Sequence, residues 1–387
     1  MSLAHPRPTS VRHVLARRAL GVATGLLLDR ALGEPPDAWH PVAWFGTVMG
    51  RLEQALYADR RDAGAAYAAA GAGLGAGAGL VLGRAGVPGL ALAVGVASAG
   101  RMLRHTSRDI EQLLRAGELT AARERLPWLV GRDPSGLDES GVAAAVVESL
   151  AENTVDAVIA PALWGLVAGA PGVLVHRAVN TMDAMVGHRS PRYARFGTVA
   201  ARADDVLAWA PARLFAGLVA LDAACARLLG QSGGYFLRSG PGSVHRSGQG
   251  AGTVHRSEES VDEEGAGPGQ RPTGIEVLQI VRRDAPAHPS PNAGVAESVV
   301  AGALGVELGG PLEYAGRREE RPRLGSGPRP GPADIARARQ LVGRVELAVV
   351  AGCLGAAALV GRRRHPRGAG SALPARRSLT RTPSSHR

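Results

Sequence analysis

The chain has 387 residues and a formal net charge of +11, and all 45 of its basic side chains other than histidine are arginine. The lack of lysine excludes a lysine Schiff base and a Walker-type phosphate loop. With only 4% aromatic residues, the sequence offers no base-stacking platform, so no nucleic-acid partner is expected; arginine beside apolar runs fits the positive-inside pattern of membrane proteins instead. Mean hydropathy is zero, an average over Gly/Ala/Val/Leu segments and Arg-rich polar ones. The two cysteines, Cys225 and Cys353, both sit in apolar segments and form no disulfide framework.

In chain order, residues 1–13 read as a disordered N-terminus, followed by a short apolar run, Ala19–Leu28, closed by Asp29 and Arg30. It has no small-x-small cleavage site and reads as an uncleaved anchor or interfacial helix. A Pro-stiffened loop, Gly33–Val42, carries His40 and leads to a short polar helix, Arg51–Tyr57. Ala65–Val81 and Val87–Ala99 are apolar, rich in Gly and Ala, and near the lower length limit for crossing a bilayer. Arg101–Leu129 is amphipathic. Two further apolar runs cover 155–179 and 206–229. Residues 231–272 are low-complexity, repeat VHRS, and read as a disordered insertion. A loop with Pro286, Pro289 and Pro291 holds His288 and Asn292, and a small-residue helix, Val295–Leu304, follows. Residues 317–332 read as a polar linker, 342–360 as a last apolar span stopped by Arg362–Arg364, and 362–387 as a basic disordered tail. The fold class expected is mainly α: a polytopic helical membrane domain in two parts, 14–230 and 273–361, with both termini cytoplasmic.

Most of the polar chemistry falls between Gly131 and Arg213. Glu148, Glu152 and Asp156 are spaced by four residues, so a helix over 142–158 sets them on one narrow stripe, beside Ser149 and Asn153. Such a stripe entering an apolar segment is costly unless it meets cations, a metal or a water-filled cavity. The bland alternative is an exposed helix face or helix-to-helix contacts. Asp183 follows Asn180-Thr181 and could simply cap a helix. Arg202, Asp204, Asp205 and Arg213 form a second cluster; Asp205 and Arg213 are too far apart for one helical turn but can pair through another element. Asp29 and His40 are candidate general bases, though a lone His beside Pro is as often structural. Asp284, His288, Ser290 and Asn292 lie on the last stiff loop. The acids could equally line the cation path of a transporter, and a non-enzymatic membrane sensor or scaffold is a further alternative.

Four segments, GEPPDAWHPVAWFG (33–46), GRDPSGLD with ESLAENTVDAVIAP (131–161), NTMDAMVGHRSPRYARFG with ARADDVLAWAPARL (180–214) and RDAPAHPSPNAGVAESVVAGALGVELGGPLEYAG (283–316), together resemble the CobD/CbiB family of cobalamin biosynthesis. The resemblance implies an adenosylcobinamide-phosphate synthase of the cell membrane. It would join the propionate carboxyl of adenosylcobyric acid to (R)-1-amino-2-propanol or its O-phosphate, with ATP and Mg²⁺. Other cobalamin-pathway enzymes are then conceivable neighbours at the bilayer. Under this resemblance Glu148, Glu152, Asp156, Asp204 and Asp205 are candidate metal ligands. Glu152, Asp156, His40 and Asp183 are candidate catalytic groups. Asn153, Arg202, Arg213, Asp284, His288, Ser290 and Asn292 are candidate substrate or phosphate contacts. The inserted segment and the basic tail depart from the family pattern outside its motifs.

Overall fold

The computed structural model describes residues 11–131, 133–188, 190–228, 272–310, 312–314, 317–319 and 321–362. The segments expected to be disordered lie outside the described residues, apart from 11–13, 272 and 362. The chain is mainly helical. Helix α1 (Val11–Leu32) leads through the 33–40 loop to α2 (Pro41–Leu56), which begins ten residues before the expected polar helix. Pro41 occupies its first turn, where a missing N–H costs nothing, and His40 caps it, Nδ1 accepting from the Val42 N–H at 3.2 Å. Then come α3 (Arg61–Gly83), α4 (Val87–Ala97), α5 (Gly100–Arg115) and the short α6 (Leu119–Arg125).

Helix α7 (Glu139–Thr154) is the buried axis. Asp138 caps it, accepting from the Gly141 N–H at 2.7 Å, and its burial is unbroken from Gly141 to Ala151. Its stretch from Gly141 to Val147 is apolar on every side, which belongs in an interior. At residues 155–159 the helix opens into one π turn and continues as α8 (Ala160–Ala168). Proline explains the turn. Pro161 has no N–H for the Ala157 carbonyl four residues back. That carbonyl accepts from the Ala99 N–H at 3.3 Å, which ties the turn to the start of α5. The same device recurs in α10 (Thr198–Leu228). Pro211 leaves the Leu207 carbonyl without its helical donor, and the Trp164 indole N–H of α8 fills the place at 3.1 Å.

The expected apolar run 155–179 is broken at Gly169, whose φ of 70° starts α9 (Ala170–Met182). Helix α9 packs along α3 and ends in a second π turn, Asp183–Gly187. After α10 come α11 (Gly274–Asp284), closed by a Thr273–Glu276 capping box at its start, and α12 (Ala293–Leu304). The expected linker at 317–332 is partly strand. Strand β1 (Glu307–Gly309) pairs antiparallel with β4 (Arg323–Gly325), and β2 (Leu312–Tyr314) pairs with β3 (Arg317–Glu319). The last helix, α13 (Pro332–Arg362), packs on α1, α5 and α7. Among the described residues α3, α10 and α13 are long and apolar enough to cross a membrane.

Candidate functional site

The start of the last buried helix meets the end of α7. Glu152 of α7, Glu297 of α12 and His288 of the Pro-stiffened loop each present a ligand atom, all within 4.8 Å of one another. The loop holds its imidazole by local geometry. Ser290 offers both its N–H, 3.1 Å from His288 Nδ1, and its carbonyl, 3.0 Å away. Where Nδ1 accepts from that N–H, Nε2 carries the proton; in the other tautomer Nδ1 donates to the carbonyl and Nε2 turns a lone pair towards Glu297 Oε1, 3.7 Å off. A backbone acceptor fixing one ring nitrogen is how a metal-ligating histidine is commonly oriented. Glu297 is 1% exposed, and its Oε1 has no hydrogen-bond partner. Burial pushes its carboxyl well above the usual range, and the charges of Glu152 and Glu148 add to the rise.

Glu148, one turn back on α7, already has partners: its carboxylate accepts from the Gly309 N–H at 2.9 Å and lies 3.6 Å from Arg321. It therefore ties β1 and the strand region to the helix axis. Asp156, in the π turn, has other partners. Asn180 of α9 donates its amide to Asp156 at 3.1 Å and to Asp204 of α10 at 3.3 Å, so one amide bridges two carboxylates. Asp156 lies outside the three helices long enough to span. Burial, then the neighbouring Glu152 charge, pushes its carboxyl up to about 6. Asp183 is raised by burial and next by Asp205.

Beside this row lies a cavity of about 310 Å³, lined by His40 and Glu34 of the first loop, Asn153 of α7 and Arg177 of α9. Asn153 is fixed by donating to the Ser149 carbonyl and hydroxyl at 3.0 and 2.9 Å. His40 Nδ1 is engaged by the cap, so Nε2, 3.9 Å from Glu34, is the nitrogen that carries a proton in the neutral ring. Burial lowers the pKa of Arg177, while the charges of Glu34 and Asp156 oppose that shift.

The remaining sequence candidates fall around this centre. Arg213 donates to the Asn292 side-chain oxygen at 2.6 Å, and the Asn292 amide donates to the Asp205 carbonyl at 2.8 Å, so Asn292 is the third element between Asp205 and Arg213. The Ser290 hydroxyl accepts from the N–H groups of Asn292 and Ala293 and holds the turn that leads into α12. Asp284 holds Arg283 through two bonds and accepts from the Gly325 N–H at 2.7 Å, which fastens β4 to α11. Asp29 accepts from the Arg101 N–H at 3.1 Å, at the start of α5. Arg202 is exposed on α10. Sequence reasoning missed Glu297, Asn180, Arg177 and Glu34 as site residues. Each is a polar side chain in or beside a segment quoted for its motif, and a lone Glu in the small-residue helix AGVAESVVAGAL was the clearest available signal.

The architecture and site define a helical protein with membrane-length apolar helices and a partly buried carboxylate–imidazole centre. The chain belongs to the CobD/CbiB family, whose model, described as CobD/Cbib protein, matches residues 22–342. It is 40% identical over 336 residues to the cobalamin biosynthesis protein CobD of Mycobacterium tuberculosis strain H37Rv, covering 83% of this chain and 90% of that one. It is 38% identical to the CobD of Chromobacterium violaceum, covering 89% and 98%, and 36% identical to that of Rhodobacter capsulatus, covering 84% and 91%. No solved structure matches the chain.

Proposed function

We propose that the chain acts in cobalamin biosynthesis as an ATP-dependent amide ligase. It joins the propionate carboxyl of adenosylcobyric acid to the amine of (R)-1-amino-2-propanol or its O-phosphate. The observation that carries the reading is the convergence of Glu152, His288 and Glu297, with an unpartnered buried oxygen; Asn153, the residue after Glu152 on α7, lines the cavity of His40 and Arg177. A carboxylate does not condense with an amine in neutral water. It needs phosphoryl activation, and that needs charge neutralisation at the phosphates.

The donor set fits a divalent cation. Glu152 and Glu297 supply the anionic oxygens Mg²⁺ prefers, and the His288 nitrogen makes the set at least as good for Mn²⁺. When bound, the ion would neutralise phosphate charge. Glu148 is the weaker ligand candidate because Gly309 and Arg321 already engage it. Asp156 and Asp204, bridged by Asn180, form an all-oxygen pair within reach of the same row. Arg177 provides a fixed cation for a carboxylate or phosphate entering the cavity. Asn153 offers an amide oxygen, since its N–H₂ is held by Ser149. Glu34, next to His40, and Asp156 are placed to receive the proton the amine must lose. A cavity of about 310 Å³ takes the amine and the reacting propionate arm and leaves the corrin ring outside.

We place the protein in the cell membrane as a polytopic enzyme with cytoplasmic termini, on the lengths of α3, α10 and α13 and their flanking arginines. The test is mass detection of the amide made by the purified protein from the corrinoid acid, either amine, ATP and Mg²⁺. Product that needs both ATP and the divalent ion supports the reading. No product with either amine, or ion flux without turnover, overturns it.

A further inference from the structure

A second hollow lies on the other side of α5 and is larger, about 630 Å³. Its walls come from the C-terminal end of α1, from α5 and from the first half of α13. Among the described residues six arginines line it, Arg30, Arg101, Arg104, Arg108, Arg339 and Arg344, and no carboxylate does. Three acids bond to these guanidiniums, and none of the three lines the hollow. Glu346, 1% exposed, accepts from Arg30 and Arg104. Glu111 pairs with Arg339 at 2.6 Å and is shared with Arg115. Asp222 takes two bonds from Arg344 at 2.8 and 2.7 Å. Arg101 instead donates to the last carbonyls of α1, those of Arg30 and Ala31. Arg108 is exposed on α5. Arg339 Nη1 is buried and has no partner. The acids hold the forks in place from behind and leave an excess of positive charge facing one space. Like charges so gathered repel unless an anion of more than one charge enters.

We propose that this hollow binds a phosphate-bearing anion. One planar carboxylate satisfies one guanidinium fork. Forks converging from three helices need an anion with several oxygens pointing in several directions, and phosphate groups, above all linked ones, have that geometry. Two sources share this chemistry. One is a free polyphosphate such as a nucleotide, in which case the site serves the ATP-dependent reaction proposed above and rests on that reading. The other is an anionic lipid headgroup, since α13 is one of the membrane-length helices.

The experiment uses the full chain in nanodiscs of zwitterionic phosphatidylcholine, with inorganic tripolyphosphate as the probe in equilibrium binding. Arg108→Gln and Arg101→Gln leave the pairs of Glu346, Glu111 and Asp222 intact; Arg101→Gln also removes the bonds to the Arg30 and Ala31 carbonyls, so its melting temperature is measured beside its binding. Each should weaken tripolyphosphate binding by about tenfold or more, while Arg282→Gln on the exposed face of α11 leaves it unchanged. Displacement by ATP at equal or lower concentration assigns the site to nucleotide. Retention of phosphatidylglycerol by the wild type in native mass spectrometry, lost in Arg108→Gln and blocking tripolyphosphate, assigns it to lipid. The proposal falls if neither tripolyphosphate nor phosphatidylglycerol distinguishes the wild type from the two variants. A protein that binds tripolyphosphate but makes no amide loses the proposed reaction and keeps this site. One that makes amide with no Arg108-dependent anion binding does the reverse.

Discussion

The packing of α3 on α9 gives a prediction with an internal control. Both Gly73 and Gly77 have open space where a Cβ would stand, whereas a Cβ on Gly79 would lie 2.3 Å from Pro171 Cα and one on Gly75 would lie 2.7 Å from the Leu174 carbonyl oxygen. In a helix interior alanine is favoured over glycine by about 0.5–1 kcal/mol, so Gly73→Ala and Gly77→Ala should stabilise by up to that amount. Gly79→Ala gains the same propensity but requires the two backbones to separate by about 1 Å to reach ordinary van der Waals contact. Overpacking of this kind costs about 1–3 kcal/mol, so the net effect is a loss, with Gly75→Ala intermediate. Because α9 carries Arg177 and Asn180, the separation also moves the amide that bridges Asp156 and Asp204, and turnover should fall with stability. The assay is thermal unfolding in detergent, read by size-exclusion fluorescence, with product formation measured on the same samples. At about 1 °C per kcal/mol for a chain of this size, the Gly73 and Gly79 variants should shift in opposite directions. Equal melting temperatures for the two would refute the close helix approach.

Asp284→Asn should cost about 1–2 kcal/mol at neutral pH, because it removes the charge from the bonds to Arg283 and the Gly325 N–H; the larger values for charged hydrogen bonds are discounted because Arg283 is 57% exposed. Burial alone would raise the Asp284 carboxyl, but Arg283 and the Gly325 N–H outweigh it and hold the pKa below its ordinary value. The contribution is therefore complete above the unfolded value of about 4 and is lost as the pH falls through the folded one. The melting-temperature gap between wild type and variant should close in acid; a gap independent of pH would remove the charge from the explanation. Deleting residues 233–269 should leave amide formation nearly intact. Gly274 packs against the Ala220 backbone, a Cβ there meeting its carbonyl oxygen at 2.4 Å, so α10 and α11 stay joined without the insertion. Loss of activity at normal expression would count against this.

Much of the helical architecture is legible in the sequence because it follows from composition. Runs of Ala, Gly, Val and Leu between arginines can only be buried helices or spans. The local breaks are less legible. Pro161 and Pro211 fall inside the apolar runs, and each leaves a carbonyl that a distant donor, the Ala99 N–H or the Trp164 indole, satisfies. Only the tertiary partner lets the helix run on. The strands at 307–325 are three residues each and carry no alternation long enough to show. At the site, the spacing of Glu148, Glu152 and Asp156 shows that acids share a face, but not which partners divide them. Gly309 takes Glu148, Asn180 takes Asp156, and Glu152 is left to His288 and Glu297, all more than twenty residues away in sequence. In sequence Glu297 is one acid near the start of a helix, and only its burial and its unpartnered oxygen mark it out.

The most direct measurement of the central claim is the initial rate of amide formation against Mg²⁺ concentration, for the wild type, Glu152→Gln and Glu297→Gln in the same membranes. Both substitutions keep size and hydrogen-bonding capacity and remove an anionic oxygen. If these carboxylates hold the ion, each variant is slower and needs at least about tenfold more Mg²⁺ for its half-maximal rate, with activity partly restored as the ion is raised. Wild-type rates with an unchanged Mg²⁺ dependence in both variants would contradict the account and move the metal to the carboxylates bridged by Asn180.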